Sequence, residues 1–391
     1  MKKIIRNLIA LILFSSVLGP AAKLPLGIEP VNIYLSDLLV AALVIVLLVN
    51  LKKIIPLIKN DQPLKYFFIF VIFAFISLLF NPLNLSLSEF FISSLYLFRY
   101  LSYFGIYIAV LYLFRTEKKL KNTFLNYLNI SGISLLILGW LQYLLYPDLR
   151  NLSYLGWDPH YKRIFALIFD PNYLGLLLIF YLQIRFIHFR HNLKEVLLRI
   201  INLITIAFTY SRSTYLALFS SAFYLACFSK KLVLYLIISL FLSLSLFFLP
   251  RPGGEGVKLE RFFSVRERLS NWQSAGQLIK QNPLLGVGFN SLRYARKKYQ
   301  LLPENWLTSH SAAGIDNSFL FILATTGVIG LAVYLYFLAV LFKKSAVLGR
   351  SAIIAAVVHS FFLNSLFFSF ILIWLWVICA VSQSKKIRES N

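Results

Sequence analysis

FLNYLNISGISLLILGWLQYLLY, Phe124–Tyr146, contains no charged residue. A helix crossing the hydrocarbon core of a bilayer needs about 20 mostly apolar residues. This run is therefore long enough to span, and comparable runs lie on both sides of it. They occupy 4–20, 31–50, 64–80, 91–114, 164–186, 196–209, 213–228, 232–249, 317–342, 351–364 and 366–382. The pattern predicts an all-α polytopic membrane protein with about twelve transmembrane helices. Composition agrees: 59% of the residues are hydrophobic, 17% aromatic and only 14% charged, with a mean hydropathy of +0.75. Soluble domains carry about 25% charged residues, so an ordinary soluble enzyme, a disordered chain and a coiled coil are excluded. No repeat of solenoid length is visible.

The formal charge of +24 comes from 39 Lys+Arg against 15 Asp+Glu. In a soluble chain this would suggest nucleic acid, but here most basic residues flank the apolar runs. Placing the N-terminus in the cytoplasm puts Lys2, Lys3 and Arg6, the Lys52–Lys65 cluster, the Arg115–Lys121 cluster, Arg185–Arg199, Lys343–Arg350 and Lys385–Arg388 on the inner side. Cytoplasmic loops favour Lys and Arg, so both termini are expected in the cytoplasm. The first run resembles a signal peptide, but Pro20 and Lys23 crowd any cleavage site, and it is read as a helix. Cys227 and Cys379 both fall in apolar runs and read as small core residues.

The segment 250–316 differs from its surroundings, with ten Lys/Arg, five acids and the punctuation Pro252-Gly253-Gly254. It divides the chain into a bundle over 1–249, an extracytoplasmic loop subdomain over 250–316, and a last group of helices with a cytoplasmic tail over 317–391. Within the loop, Leu269, Trp272, Gly276 and Ile279 recur at helical spacing. They predict an amphipathic helix over 264–281, stopped by Asn282-Pro283.

Ionisable residues at membrane depth are functional candidates. From Arg199 the apolar stretch 200–209 rises only about 15 Å, so Arg212, in Thr209-Tyr210-Ser211-Arg212-Ser213, is expected below the outer surface at the tip of a short hairpin. Asp170-Pro171-Asn172-Tyr173 lies within the sixth run, where Pro171 breaks the helix, and such a break is tolerated where it lines a cavity. Asp170, Asn172, Tyr210 and Asn317 are the expected cavity-lining residues. A structural ion pair between Arg212 and Asp170 is the alternative. Arg99 and Asp37 read as a structural pair, and His359 as a packed neutral histidine. The loop adds Arg251, Arg261, Arg266, Arg268, Arg293, Arg296, Lys297, Lys298 and His310. With Arg163 and Arg212 these place positive charge outside, against the topology preference, and point to an anionic ligand such as a lipid-linked diphosphate.

These motifs form an ordered series: Arg163, Asp170-Pro171-Asn172-Tyr173-Leu174-Gly175, Tyr210-Ser211-Arg212-Ser213, Arg268-x-x-x-Trp272, Asn282-Pro283-Leu284-Leu285-Gly286-Val287-Gly288-Phe289, His310, Asp316-Asn317-Ser318-Phe319-Leu320 and Gly327-Val328-Ile329-Gly330-Leu331. The series resembles the O-antigen ligase and O-antigen polymerase (Wzy-type) superfamily of bacterial membrane glycosyltransferases, over about 160–335; the first 150 residues are similar in hydropathy only. The resemblance implies a GT-C-like enzyme of the inner membrane, active on its outer face. It would transfer a glycan from an undecaprenyl-diphosphate-linked oligosaccharide to an acceptor glycan or to lipid A core. It further implies that Arg212 and Arg268 bind the donor diphosphate, with Arg163 and Arg266 as further cationic candidates. His310 would activate the acceptor. Many ligases of the superfamily place a histidine directly before the asparagine that opens the next helix; here Asp316 holds that place, which makes Asp316 a second candidate base. The same departure slightly favours polymerase over ligase.

The chemistry agrees with that implication. A diphosphate is a good leaving group that needs fixed cations rather than a strong acid, and histidine suits a base near neutral pH. No Asp-x-Asp pair and no His/Cys/Asp cluster with metal-ligand spacing occurs in the sequence, so a metal-independent, cofactor-free, inverting transfer is expected. A transporter or flippase for lipid-linked oligosaccharide is the alternative class; it would spread polar residues through many spans, whereas these gather near one side.

Overall fold

The computed structural model describes residues 1–25, 31–117, 120–155, 158–188, 192–228, 233, 235–237, 239–240, 257–258, 263–301 and 314–383. They form an all-α protein. Five of its helices are long and apolar enough to cross a membrane, or six if one bent pair counts as a single span. Helices occupy eleven of the twelve apolar runs, and the remaining one, 232–249, lies largely outside the described residues.

The helices α1 (Lys2–Leu18), α2 (Leu35–Val49), α3 (Leu51–Ile58), α4 (Gln62–Leu79), α5 (Leu87–Thr116) and α6 (Leu120–Leu145) make the first part of the bundle. A two-stranded antiparallel hairpin, Lys23–Leu24 with Ile33–Tyr34, joins α1 to α2. The chain bends by 87° between α2 and α3. The physical reason is in the residues of α3: Lys52, Lys53 and Pro56 interrupt the apolar pattern, so it makes a short amphipathic helix rather than the continuation of a span. Asp37 and Arg99 form the expected pair at 2.8 Å, and Asp37 also closes the N-terminal cap of α2 by accepting from the Tyr34 N–H.

The second part comprises α7 (Pro171–His188), α8 (Leu193–Ala207), α9 (Arg212–Ala226), α10 (Phe263–Gln281), α11 (Leu292–Lys298), α12 (Ser318–Lys344), α13 (Val347–His359) and α14 (Ser369–Val381). α4 packs along α12, α13 along α9, and α14 along α5. The α5–α14 seam is aromatic: Phe67 of α4 stacks on Phe104 with ring centroids 3.6 Å apart, and Trp376 meets Phe104 edge-on at 5.1 Å.

α12 is the element that positions the site, and glycines set its course. It breaks at Gly327, whose φ of 66° and ψ of −173° are not helical. The Asn282–Phe289 motif docks into that break. Val287 and Gly288 N–H groups donate to the carbonyls of Ala324 and Thr325 at 3.0 Å each, and Val328 N–H donates to Pro283 O at 2.9 Å. A Cβ at Gly327 would stand 2.1 Å from Leu284 O, and one at Gly286, itself at φ 70°, 2.4 Å from Thr325 C. Backbone approaches this close admit only glycine. Ser77 of α4 donates to the carbonyls of both Leu285 and Thr325 at 2.7 Å, clamping the joint from a third side.

α10 covers the expected amphipathic stretch and ends at Gln281, before Asn282-Pro283. Its inward face differs from the expected one. Leu269 is exposed and Gly276 has open space beside it, whereas Ala275 and Leu278 are fully buried beside half-buried Trp272 and Ile279. α10 packs on α12, and the small Ala275 allows a close approach that the bulk of Leu269 does not.

Candidate functional site

The site is assembled from four local structures. The first is the turn between α8 and α9. Both helices are 15 residues long, which at 1.5 Å per residue gives about 22 Å, short of the hydrocarbon thickness. The turn holds Tyr210 at φ 49°, buried, and Ser211 caps α9 by accepting from Thr214 N–H at 3.3 Å. Arg212 is thus the first residue of α9, half-buried, at a helix N-terminus. Arg163 holds this turn from behind. Its buried guanidinium donates to Thr209 O at 2.8 Å and Tyr210 O at 3.4 Å, and approaches His160 Nδ1 at 3.4 Å.

The second is the break before α7. Asp170 Oδ1 accepts from the N–H groups of Asn172 (2.6 Å) and Tyr173 (3.2 Å), capping the helix that Pro171 opens. Asn172 Oδ1 in turn accepts from Ser211 Oγ at 2.7 Å. Gly175 lets α7 approach α9 here, since a Cβ would meet Thr214 Oγ1 at 2.3 Å. The break and the turn are therefore in direct contact. Arg212–Asp170 is not among the ion pairs of the described residues.

The third is the start of α12. Asn317 caps it by accepting from Phe319 and Leu320 N–H groups at 2.8 and 3.0 Å. The backbone of the exposed Asp316 is pinned by α10: Asp316 N–H donates to Asn271 Oδ1 at 3.2 Å, and Trp272 Nε1 donates to Asp316 O at 3.3 Å. Arg268 lies one helical turn before Trp272 on α10, on the same face. It is within electrostatic reach of Arg212, His359 and Asp158. Arg266, two residues earlier, is exposed. His310 lies outside the described residues.

The fourth is the loop 158–163, which returns beside Asp148 and Leu149. It brings in Asp158 and His160, which spacing along the chain does not connect to Asp170. Ligand atoms of Asp158, His160 and Asp170 all lie within 4.8 Å of one another and could hold a metal ion. The sequence shows no such cluster because the loop has to fold back to make it. The Arg163 guanidinium beside His160 already supplies fixed positive charge there. Asp158 keeps part of its surface open to water, yet protein surrounds most of it. That desolvation holds its carboxyl above the ordinary carboxylate range; repulsion from Asp316 adds to the rise, and Arg163 and Arg268 oppose it.

His359 completes the floor. It is fully buried, 3.3 Å from Ser213 Oγ through Nε2 and 2.6 Å from Ser365 Oγ through Nδ1. Beside this floor begins an apolar groove of about 500 Å³ between α12 and α13. Phe319 and Phe361 stand at its head with ring centroids 4.8 Å apart, and Phe342 lies at its foot. Asn317 Nδ2 donates to Phe361 O at 3.2 Å, tying the groove to the site.

Fold and site together define an all-α membrane protein with a cluster of arginines and carboxylates beside the apolar groove to which Asn317 is tied. Residues 197–335 match the family model described as O-antigen ligase, which supports the superfamily that the ordered motifs resemble. The matched segment contains Arg212, Arg268, Asp316 and Asn317 and ends inside α12. No curated protein matches the chain.

Proposed function

We propose that the protein is a glycosyltransferase of the bacterial inner membrane, with both termini cytoplasmic and the pit facing outward. It takes a glycan from an undecaprenyl-diphosphate-linked oligosaccharide and joins it to a sugar hydroxyl. The observation that carries this reading is that Arg212, at the start of α9, and Arg268, on α10, lie within electrostatic reach of each other. Two guanidinium groups brought together repel each other, and a bound dianion turns that cost into attraction. Arg212 also stands at the N-terminus of α9, where backbone N–H groups favour an anion. The groove offers the polyprenyl tail an apolar path.

In the reaction the acceptor oxygen attacks the anomeric carbon from the face opposite the leaving group. The carbon–oxygen bond to the diphosphate breaks, and the carrier leaves as the lipid diphosphate, its new charge held by Arg212 and Arg268. The acceptor's proton passes to a base, either Asp316 or His310. Arg163 acts as a positioning residue that fixes the Thr209–Tyr210 carbonyls. Cation stabilisation by arginine makes the transfer metal-independent, and inversion follows from the single displacement. Asp316 in place of a histidine favours a polymerase that extends a repeat-unit glycan; attachment to lipid A core is the second product to test.

The experiment is to incubate purified protein with the lipid-linked oligosaccharide, with and without lipid A core, in EDTA. The polymerase reading expects chains grown on the carrier without core. Product only when core is present overturns polymerase in favour of ligase. A strict requirement for added divalent metal overturns the metal-free mechanism and brings Asp158, His160 and Asp170 forward.

A further inference from the structure

A second cavity, of about 330 Å³, lies between α5, α11 and the segment before α14. This is the size of a small ligand site. Its walls are unusual for a bundle interior, since tyrosines of α5 (Tyr96, Tyr100 and Tyr103) face Tyr294 and Arg293 of α11 across it. Its floor includes Asn364, whose Oδ1 is buried and has no hydrogen-bond partner among the described residues. A buried acceptor left unsatisfied is costly, so a donor group from a ligand would find a favourable place there.

The cavity has a definite relation to the pit. Phe368 lines the cavity and stacks on Tyr173 at 3.9 Å, and Tyr173 is capped by Asp170. Gly314, two residues before Asp316, lines the cavity as well, and Arg296 of α11 donates to its carbonyl at 3.0 Å. Phe321 faces the cavity whereas Phe319 faces the apolar groove. Two residues on a helix are about 200° apart. The cavity and the groove thus flank opposite sides of the first turn of α12, with Asp316 and Asn317 between them.

We infer that this cavity binds a pyranose ring of the acceptor glycan. The inference rests on the glycosyl-transfer reading and specifies which partner enters from which side. Donor lipid occupies the groove face of α12, and acceptor sugar the tyrosine face. This is the opposed arrangement that an inverting displacement needs. The apolar C–H faces of a pyranose pack on tyrosine rings, a ring hydroxyl donates to Asn364 Oδ1, and Arg293 donates to ring oxygens.

The test uses wild-type protein and two variants, Tyr96→Leu and Asn364→Leu, each checked for an unchanged thermal midpoint. Asn364→Leu removes a buried unpaired oxygen and is expected to fold well. Donor is the lipid-linked oligosaccharide extracted from the native membranes. Acceptor is the same oligosaccharide released from its carrier by mild acid, offered in solution. Acceptor KM is expected to rise about tenfold in each variant, with donor Kd unchanged. Unchanged acceptor KM in both variants overturns the inference, as does weakened donor binding with acceptor KM unaltered, which would assign the cavity to the donor. Wild-type protein that binds no donor overturns the glycosyl-transfer reading itself, and this inference with it.

Discussion

Replacing Gly327 by alanine tests whether the interlock between the Asn282–Phe289 motif and α12 builds the site. Its φ of 66° and ψ of −173° lie in a region open essentially to glycine alone, and forcing another residue there costs about 1 to 3 kcal/mol. The added Cβ would also stand 2.1 Å from Leu284 O and 2.6 Å from Leu285 N, backbone atoms that cannot swing aside. Relief requires the docked motif to withdraw. That lengthens the hydrogen bonds from Val287, Gly288 and Val328, each with a net worth of about 1 kcal/mol. The total loss is between about 2 and 6 kcal/mol. The control is Gly276→Ala in α10. That glycine is helical with nothing within 4 Å of its would-be Cβ, so alanine is expected to stabilise by about 0.5 to 1 kcal/mol. The assay is thermal unfolding of purified protein in nanodiscs, followed by tryptophan fluorescence, alongside glycan transfer. Gly327→Ala should lower the midpoint and reduce transfer, because the motif it displaces follows directly on α10, whose Asn271 and Trp272 hold the Asp316 backbone. Gly276→Ala should raise the midpoint. Equal midpoints for Gly327→Ala and wild type would refute the interlock.

Further expectations concern the residues around the pit. The Asp158 carboxyl titrates above the ordinary carboxylate range, so the folded state binds more protons than the unfolded one between the two values. Stability from this group is therefore fullest below the unfolded value of 3.8 and falls as pH rises through the folded one. Asp158→Asn should accordingly raise the thermal midpoint at pH 7, with the gain disappearing below pH 3.8; an equal gain at both pH values contradicts the assigned cause. Arg163→Lys should fail to rescue Arg163→Ala, since an ammonium cannot reach both Thr209 O and Tyr210 O as the guanidinium does; restored transfer by the lysine variant would count against that positioning role. Asn271→Ala frees the Asp316 N–H and should lower kcat by about tenfold or less with donor Kd unchanged, measured by single-turnover transfer and equilibrium binding.

Much of the site is legible along the chain because its parts announce themselves locally. Pro171 after Asp170 marks a helix break, a ten-residue apolar run before Tyr210-Ser211-Arg212 marks a short hairpin, and Asn282-Pro283 ends α10 where the structure ends it. What escapes such reading depends on contacts between distant segments. Asp158 and His160 enter the pit only because their loop folds back, through the Leu149 N–H to His160 carbonyl bond among others. The buried face of α10 is set by the surface of α12, not by where its own largest apolar residue falls, so Leu269 is left exposed. The bend after Val49 is similar: an apolar count runs smoothly through 31–50, and only the amphipathic residues that follow reveal that the chain turns there.

The central claim is that Arg212 and Arg268 grip the diphosphate of a polyprenyl sugar donor. Equilibrium binding of the extracted lipid-linked oligosaccharide to wild-type protein and to Arg212→Gln, in nanodiscs of neutral lipid, addresses it most directly. Removing one charge-assisted contact should weaken donor binding by about 10- to 100-fold. Donor affinity equal to wild type in that variant would contradict the account.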